Sequence, residues 1–202
     1  MDTLAILLQT GGYSTRMGQN KANLKIENRT FAEKIVAELS SCGPVCLSVS
    51  ADVKPELIAA DYPSIVDEVP HIGPLGGICT AMHQIPADQF FVCACDMPFM
   101  RAAYLQHLIR IREQLSPGSW DVLLVRGRSG RVYTTAGIYH RRLLPQIEKQ
   151  IREENYRLRD LLSAASVFFI NEENLGELRN CLININTMDE YQNASEILSQ
   201  LA

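Results

Sequence analysis

The stretch that decides the fold reads LAILLQTGGYSTRMGQNKANLKI, from Leu4 to Ile26. It opens with LAILLQ, a short apolar run typical of a strand that is buried on both faces. Glycines, hydroxyl groups, Arg16 and Lys21 follow directly. Glycines let backbone amides approach phosphate oxygens, and both cations add positive charge to the same loop. The pattern therefore predicts a strand followed by an anion-binding loop, although it matches neither GxxxxGK[ST] nor GxGxxG. A plain Gly-rich turn with solvated charges is the alternative.

Downstream, apolar runs alternate with helical patterns. Thr30 is followed three residues later by Glu33, and Thr187 by Glu190, so two helices are predicted to begin with capping boxes. The other predicted helices cover 54–60, 75–82, 101–115, 141–154 and 158–164, and the predicted strands cover 4–9, 45–50, 64–66, 90–94, 121–125, 134–140 and 167–170. This order predicts an α/β fold, a Rossmann-like three-layer sandwich with helices on both faces of a mostly parallel central sheet.

The chain shows no linker and no internal repeat, so a single domain over 1–202 is predicted. The part from about 126 to 165 has the pattern of an insertion with its own strand and helices.

Bulk composition excludes several classes of protein. The formal net charge of -4 and the 21% of charged residues argue against a nucleic-acid partner. No apolar run approaches the roughly 20 residues that cross a bilayer, and the start lacks signal-peptide features. A cytoplasmic protein with no membrane contact is therefore expected. The six cysteines form no CxxC pair and are expected to be reduced thiols in the core, not a metal cluster.

In a sheet of this kind, ligands bind where the strands end. Asp96 directly follows the predicted strand at 90–94, within CDMP. Mg²⁺ prefers one or two carboxylates together with phosphate oxygens, so Asp96 is a candidate ligand for Mg²⁺. The alternative is that Asp96 only caps the helix that follows.

Two more polar segments lie at predicted strand ends or beside a helix start. Asp67 begins DEVPHIGPLGGI, in which Gly73 allows close backbone approach; its carboxylate could accept a hydrogen bond from a ribose hydroxyl or a base edge. An ordinary surface loop is the alternative. In NINT, Asn184 and Asn186 could bond either the backbone or a polar ligand.

Taken together, these motifs resemble a known family. GGYSTRMGQNKA resembles the GGxSxRMGxxKA signature of nucleotidyltransferases, and GPLGGI, CDMP and NINT narrow the resemblance to molybdenum cofactor guanylyltransferases of the MobA type. The resemblance covers nearly the whole chain and implies a fold of the nucleotide-diphospho-sugar transferase type. It implies that residues 1 to about 100 bind the nucleotide and that the remainder binds the acceptor. It implies Mg²⁺-dependent transfer of GMP from GTP to the terminal phosphate of molybdopterin, with release of pyrophosphate. Other molybdenum-cofactor proteins or a recipient molybdoenzyme are the implied partners.

The resemblance also implies roles for individual residues. Arg16, Lys21 and Asp96 are the implied catalytic residues, with Asp96 as the metal ligand, and Asn184 and Asn186 are the implied acceptor-binding residues. The implied nucleotide-binding residues are Gln9, Thr10, Gly11, Gly12, Lys21, Asp67, Gly73 and Asp96. Phosphoryl transfer mostly requires positioning and neutralisation of charge, which suits this set.

Four residues depart from the family pattern. Thr10 replaces an alanine, which is expected to bring a methyl and a hydroxyl group near the nucleotide and to affect base preference. Ser48 and Ser50 stand where many relatives have an asparagine, and Gly76 replaces a commoner alanine. The alternatives are a sister transferase that uses another nucleotide, for molybdopterin or a sugar phosphate, and a non-catalytic nucleotide-binding partner of a molybdoenzyme.

Overall fold

The computed structural model describes residues 2–10, 21–51 and 62–201. The strands are β1 (Leu4–Gln9), β2 (Lys25–Ile26), β3 (Arg29–Thr30), β4 (Val45–Val49), β5 (Ser64–Val66), β6 (Gln89–Ala94), β7 (Val122–Arg126), β8 (Val132–His140) and β9 (Val167–Asn171). The α-helices are α1 (Phe31–Leu39), α2 (Pro74–Gln84), α3 (Ala102–Gln114), α4 (Leu144–Arg152), α5 (Leu158–Ser163) and α6 (Met188–Leu201).

Seven of the strands form one sheet in the order β5-β4-β1-β6-β8-β7-β9. β1 pairs in parallel with β4 on one side, where Leu8 lies opposite Leu47, and with β6 on the other, where Leu7 lies opposite Val92. β8 pairs antiparallel with both β6 and β7, while β7 and β9 are parallel. The carboxyl ends of all the sheet strands except β8 therefore lie at one edge, where the amino end of β8 joins them.

Helices cover both faces of the sheet, as the alternating sequence pattern predicts. Ile6 and Leu8 of β1 point into a core shared with α1 and α3, whereas Leu7 points into a second core shared with α2, α4 and α5. All three side chains are fully buried. Successive residues of a strand face opposite sides, so an uninterrupted apolar run is what a central strand between two helical layers needs.

The most strongly patterned predictions are confirmed. β1 spans the predicted residues, and the box at the start of α1 is present, with the Thr30 hydroxyl accepting from the Glu33 N–H and the Glu33 side chain accepting from the Thr30 N–H. At α6, the Glu190 N–H donates to the Thr187 hydroxyl at 3.2 Å, and the Thr187 N–H donates to Glu190 Oε2 at 3.0 Å. The helix predicted at 54–60 lies outside the described residues.

The prediction of an insertion at 126–165 is wrong. β8 lies inside the main sheet between β6 and β7, and Phe91 lies opposite Ile138 in its register. α4 packs beside α2 in the same helical layer. The segment resembles an insertion in sequence because its strand reverses the direction of the sheet, and reversal breaks the alternation of strand and helix.

A third, smaller core fixes the residues that precede α6. Ile185, in the extended segment before the helix, is fully buried with Phe31 of α1 and with Phe99, which follows β6. A 3-10 segment at Glu172–Leu182, which the sequence does not predict, leads into this region. This core ties the end of the chain to the carboxyl edge of the sheet.

All six thiols are free; Cys79, Cys93, Cys95 and Cys181 are buried, whereas Cys42 and Cys46 are partly exposed. Burial raises the pKa of Cys95 to about 12. In the described residues no helix combines the length and the apolar character that a membrane span needs.

Candidate active site

The carboxylate of Asp96 is the centre of a polar cluster at the carboxyl edge of the sheet. Lys21 Nζ lies 3.5 Å from Asp96 Oδ2 and donates to Asn186 Oδ1 at 2.6 Å. Asn184 Nδ2 donates to the other carboxylate oxygen, Asp96 Oδ1, at 3.0 Å. The side chains of Lys21 and Asp96 are 15% and 20% exposed, so both are mostly buried but keep some accessible surface. Four of the sequence-predicted residues thus lie together.

Local sequence explains how these side chains converge. Asp96 lies two residues beyond the end of β6, and its carbonyl accepts a hydrogen bond from the Ile185 N–H at 2.8 Å. That bond fixes an extended segment in which Ile185 points into the core. Because side chains alternate along extended backbone, Asn184 and Asn186 both point the opposite way, towards Asp96 and Lys21.

The alternative that Asp96 merely caps the next helix is wrong. α3 begins at Ala102, and its N-cap residue is Arg101, well beyond Asp96. The carboxylate instead bonds to side chains from distant parts of the chain.

A second polar group lies at the ends of β1, β4 and β5. Ser48 Oγ donates to Asp67 Oδ1 at 2.6 Å, and Gln9 Nε2 donates to the carbonyl of Pro74, in the first turn of α2, at 2.7 Å. The two groups adjoin, since the Cys95 N–H bonds to the Gln9 carbonyl at 3.0 Å between the neighbouring strands β1 and β6.

Burial raises the pKa of the Asp67 carboxyl, and the hydrogen bond from Ser48 partly offsets that rise. Ser48 is itself only 2% exposed. Ser48 therefore supplies a hydrogen-bond donor that favours the ionised form of this half-buried carboxyl, which the sequence did not reveal beyond the departure from asparagine.

The side chain of Thr10 is buried at the end of β1. It is 1% exposed, and its hydroxyl donates to the Ser48 carbonyl at 2.8 Å. The Thr10 N–H donates to the same carbonyl at 3.0 Å. The hydroxyl is therefore hydrogen-bonded inside the protein, and a role for Thr10 in nucleotide binding stays a prediction.

The start of α2 approaches the strand ends closely. Gly73 precedes the helix with φ of 69°, a conformation that favours glycine, and Pro74 occupies the first turn. A Cβ on Gly77 would lie 2.3 Å from Ser48 Oγ and 3.1 Å from Gln9 Nε2. Gly77 thus lets the helix pack directly on the pair of polar side chains that end β1 and β4. Gly11, Gly12 and Arg16 lie outside the described residues.

Sequence reasoning missed Arg131 and Tyr133 at the start of β8. Arg131 donates to Asn184 Oδ1 at 3.1 Å, and its guanidinium carbon lies 4.8 Å from the centroid of the Tyr133 ring. The signal was present as RGRSGR, an arginine-rich tip between two strands, but it reads as an ordinary turn. Only the antiparallel course of β8 brings this tip beside Asp96.

The donor set around Asp96 fits Mg²⁺ held jointly with a phosphate. The described residues contain no group of three or more His, Cys, Asp or Glu side chains that could enclose a metal ion. Mg²⁺ does not need such a cage, because it commonly binds one or two carboxylates, substrate phosphates and waters. Asp96 could offer a carboxylate oxygen to such an ion, and Lys21 adds a positive charge 3.5 Å from that carboxylate.

Comparison with known proteins decides the family. The model of the MobA-like NTP transferase domain matches residues 6–168. The chain belongs to the MobA-like NTP transferase family.

Relatives of this protein match it over nearly the whole length of both chains. A probable molybdenum cofactor guanylyltransferase from Bacillus cereus is 30% identical over 98% of this chain and 99% of its own length. Another from a Geobacillus species is 28% identical over 95% of this chain and 97% of its own.

A solved structure confirms the fold. The molybdopterin-guanine dinucleotide biosynthesis protein A of Archaeoglobus fulgidus has a TM-score of 0.83 at 21% identity, over 97% of this chain and 99% of its own. The chain is therefore a nucleotidyltransferase in fold and family, as its N-terminal signature indicates.

Proposed function

We propose that this protein transfers GMP from GTP to the terminal phosphate of molybdopterin. An oxygen of the acceptor phosphate forms a bond to the α-phosphorus of GTP. The bond between that phosphorus and the oxygen bridging to the β-phosphate breaks, and the electron pair leaves with pyrophosphate. The names of the full-length relatives support this choice of substrates.

The observation that carries the proposal is the shared carboxylate of Asp96. One of its oxygens faces Lys21, and the other is bonded by Asn184. We infer that Lys21 leaves Asp96 for the triphosphate when GTP binds, since an ammonium group is a mobile point charge. Asp96 is then free to hold Mg²⁺, which would neutralise charge that builds up on the reacting phosphates.

The second polar group suits the nucleoside. Asp67 and Ser48 form an acceptor and a donor side by side at the ends of β4 and β5, and Gln9 lies beside them at the end of β1. Because the Thr10 hydroxyl is directed into the protein, the substitution of alanine by threonine does not introduce a new polar group at the base. That geometry removes one argument for a base other than guanine.

Two measurements test the proposal. Calorimetric titration with GTP, CTP, ATP and UTP, each with and without Mg²⁺, should show selective binding of GTP. Release of pyrophosphate from GTP should then require both molybdopterin and Mg²⁺. Selective binding of CTP would identify a cytidylyltransferase instead, and nucleotide binding without any pyrophosphate release would identify a non-catalytic module.

Asp96→Asn is the sharpest variant, because the amide keeps the shape and removes the charge. We expect turnover to fall by about 100-fold or more, the scale of losing one electrostatic contact at the reacting phosphates. Asp189→Asn, an exposed acidic residue in the first turn of α6, is the matched control. Unchanged turnover by a folded Asp96→Asn variant would refute the role of this carboxylate.

A further inference from the structure

The tip between β7 and β8 lies at the edge of the sheet where Asp96 is found. β7 ends at Arg126 and β8 begins at Val132. The Gly127 N–H donates to the Arg131 carbonyl at 2.8 Å, and the Gly130 N–H donates to the Gly127 carbonyl at 3.0 Å. These bonds close the tip and fix the backbone of Arg131 where the chain enters β8.

The three arginines of the tip have different partners. Arg128 pairs with the carboxylate of Glu173, and Arg126 lies over the ring of Phe169, 3.6 Å from its centroid. Arg131 donates to a neutral acceptor, the side-chain oxygen of Asn184. Arg131 is exposed, and no carboxylate of the described residues forms an ion pair with it. Its positive charge is therefore available to an anion.

The ring of Tyr133 also holds the guanidinium of Arg131 in place. The guanidinium lies over this ring, and the Tyr133 hydroxyl donates to Glu172 Oε1 at 3.1 Å. Burial, together with that hydrogen bond, raises the pKa of Tyr133, so the phenol stays protonated and keeps its contact with Glu172. A ring anchored in this way is a fixed platform for a cation.

The polar cluster around Asp96 follows β6, and different strands lie on the two sides of β6. The strands that end near Gln9, Ser48 and Asp67 lie on one side of β6, whereas β8, β7 and β9 lie on the other. Asn184 connects the second side to Asp96, because its amide nitrogen bonds the carboxylate and its oxygen accepts from Arg131. Lys21 faces the other oxygen of the same carboxylate.

We propose that Arg131 binds the phosphate of the acceptor and holds it beside Asp96. A guanidinium can bond two phosphate oxygens at once, which fixes the orientation of the attacking oxygen. Asn184 positions Arg131 through its side-chain oxygen, and its nitrogen donates to the carboxylate of Asp96. This inference rests on the proposed function, since it names the residue that binds the second substrate, molybdopterin.

The experiment compares Arg131→Gln with Arg128→Gln in the full chain. Arg131→Gln should raise the KM for molybdopterin by about tenfold or more, because a hydrogen bond to a charged group contributes roughly 1.5–3 kcal/mol. The KM for GTP and the calorimetric affinity for GTP should stay unchanged. Arg128→Gln should change neither substrate's KM, since Arg128 is engaged by Glu173. Arg131→Lys should restore part of the lost affinity for molybdopterin, because lysine restores the positive charge but cannot bond two phosphate oxygens as a guanidinium does.

A direct titration separates this inference from the proposed function. Molybdopterin is titrated into each variant in the absence of GTP, so no turnover is needed. Weaker binding by Arg131→Gln but not by Arg128→Gln supports the assignment even if the wild-type protein releases no pyrophosphate. Equal binding of molybdopterin by both variants overturns it, as does a loss of affinity for GTP in Arg131→Gln. Failure of the wild-type protein to bind molybdopterin overturns both proposals.

Discussion

Gly77→Ala tests the close contact between α2 and the strand ends. The new methyl group would lie 2.3 Å from Ser48 Oγ, 3.2 Å from Ser48 Cβ and 3.1 Å from Gln9 Nε2. Ser48 is nearly fully buried and cannot simply rotate into solvent. Relief of the clash therefore requires Ser48 to release Asp67, or α2 to move away from the sheet.

The magnitude follows from three contributions. Overpacking costs about 1–3 kcal/mol, and loss of the charge-assisted bond to Asp67 costs about 1.5–3 kcal/mol. Alanine in place of glycine inside a helix returns about 1 kcal/mol. We therefore expect the free energy of unfolding to fall by about 1.5–5 kcal/mol, and GTP to bind more weakly because Gln9, Ser48 and Asp67 are displaced.

Urea unfolding of a double-mutant cycle with Ser48→Ala provides the control. Removal of Ser48 Oγ opens the space that the methyl group needs, so the double variant should be more stable than the sum of the single effects predicts, by at least about 0.5 kcal/mol. Additive effects, or a Gly77→Ala variant as stable as the wild-type protein, would show that the contact is not as tight as the geometry indicates.

Two further predictions concern stability. His83 bonds Glu68 Oε2 and Glu148 Oε1, each at 2.9 Å, and these bonds raise its pKa; the stabilisation is complete below about pH 6.5 and disappears as the pH rises through the higher folded pKa. His83→Gln should flatten that dependence in thermal melts from pH 5.5 to 8.5, and an unchanged slope would refute the assignment. Thr30→Ala should cost about 1 kcal/mol in urea unfolding, through loss of the cap on α1, whereas an unchanged midpoint would contradict the capping role.

Sequence predicts best where a local pattern needs no distant partner. β1 is recognisable because an apolar run such as LAILLQ is typical of a strand that is buried on both faces. Each capping box is recognisable because its two residues lie only three positions apart. The placement of Asp96 also followed from local reasoning, since a polar residue at the end of a buried parallel strand must reach the carboxyl edge of the sheet.

The contribution of β8 could not be predicted in the same way. Arg131 precedes β8, so the rule that ligand-binding residues follow strands does not identify it. The bonds from Ser48 to Asp67 and from Asn184 to Asp96 likewise join residues separated by 19 and 88 positions. Such contacts depend on strand order and on packing, which no local pattern encodes.

The link between Ile185 and Asp96 has a consequence for how the protein is made. The ribosome must add 88 residues after Asp96 before Asn184 exists to bond its carboxylate. The strands and the helix that surround Gln9 and Asp67 are complete long before that point. Asp96 therefore gains its bond from Asn184 only when Ile185 docks into the small core. Under the proposed function, the strands that would hold the nucleotide are translated well before the segment that completes the polar cluster around Asp96.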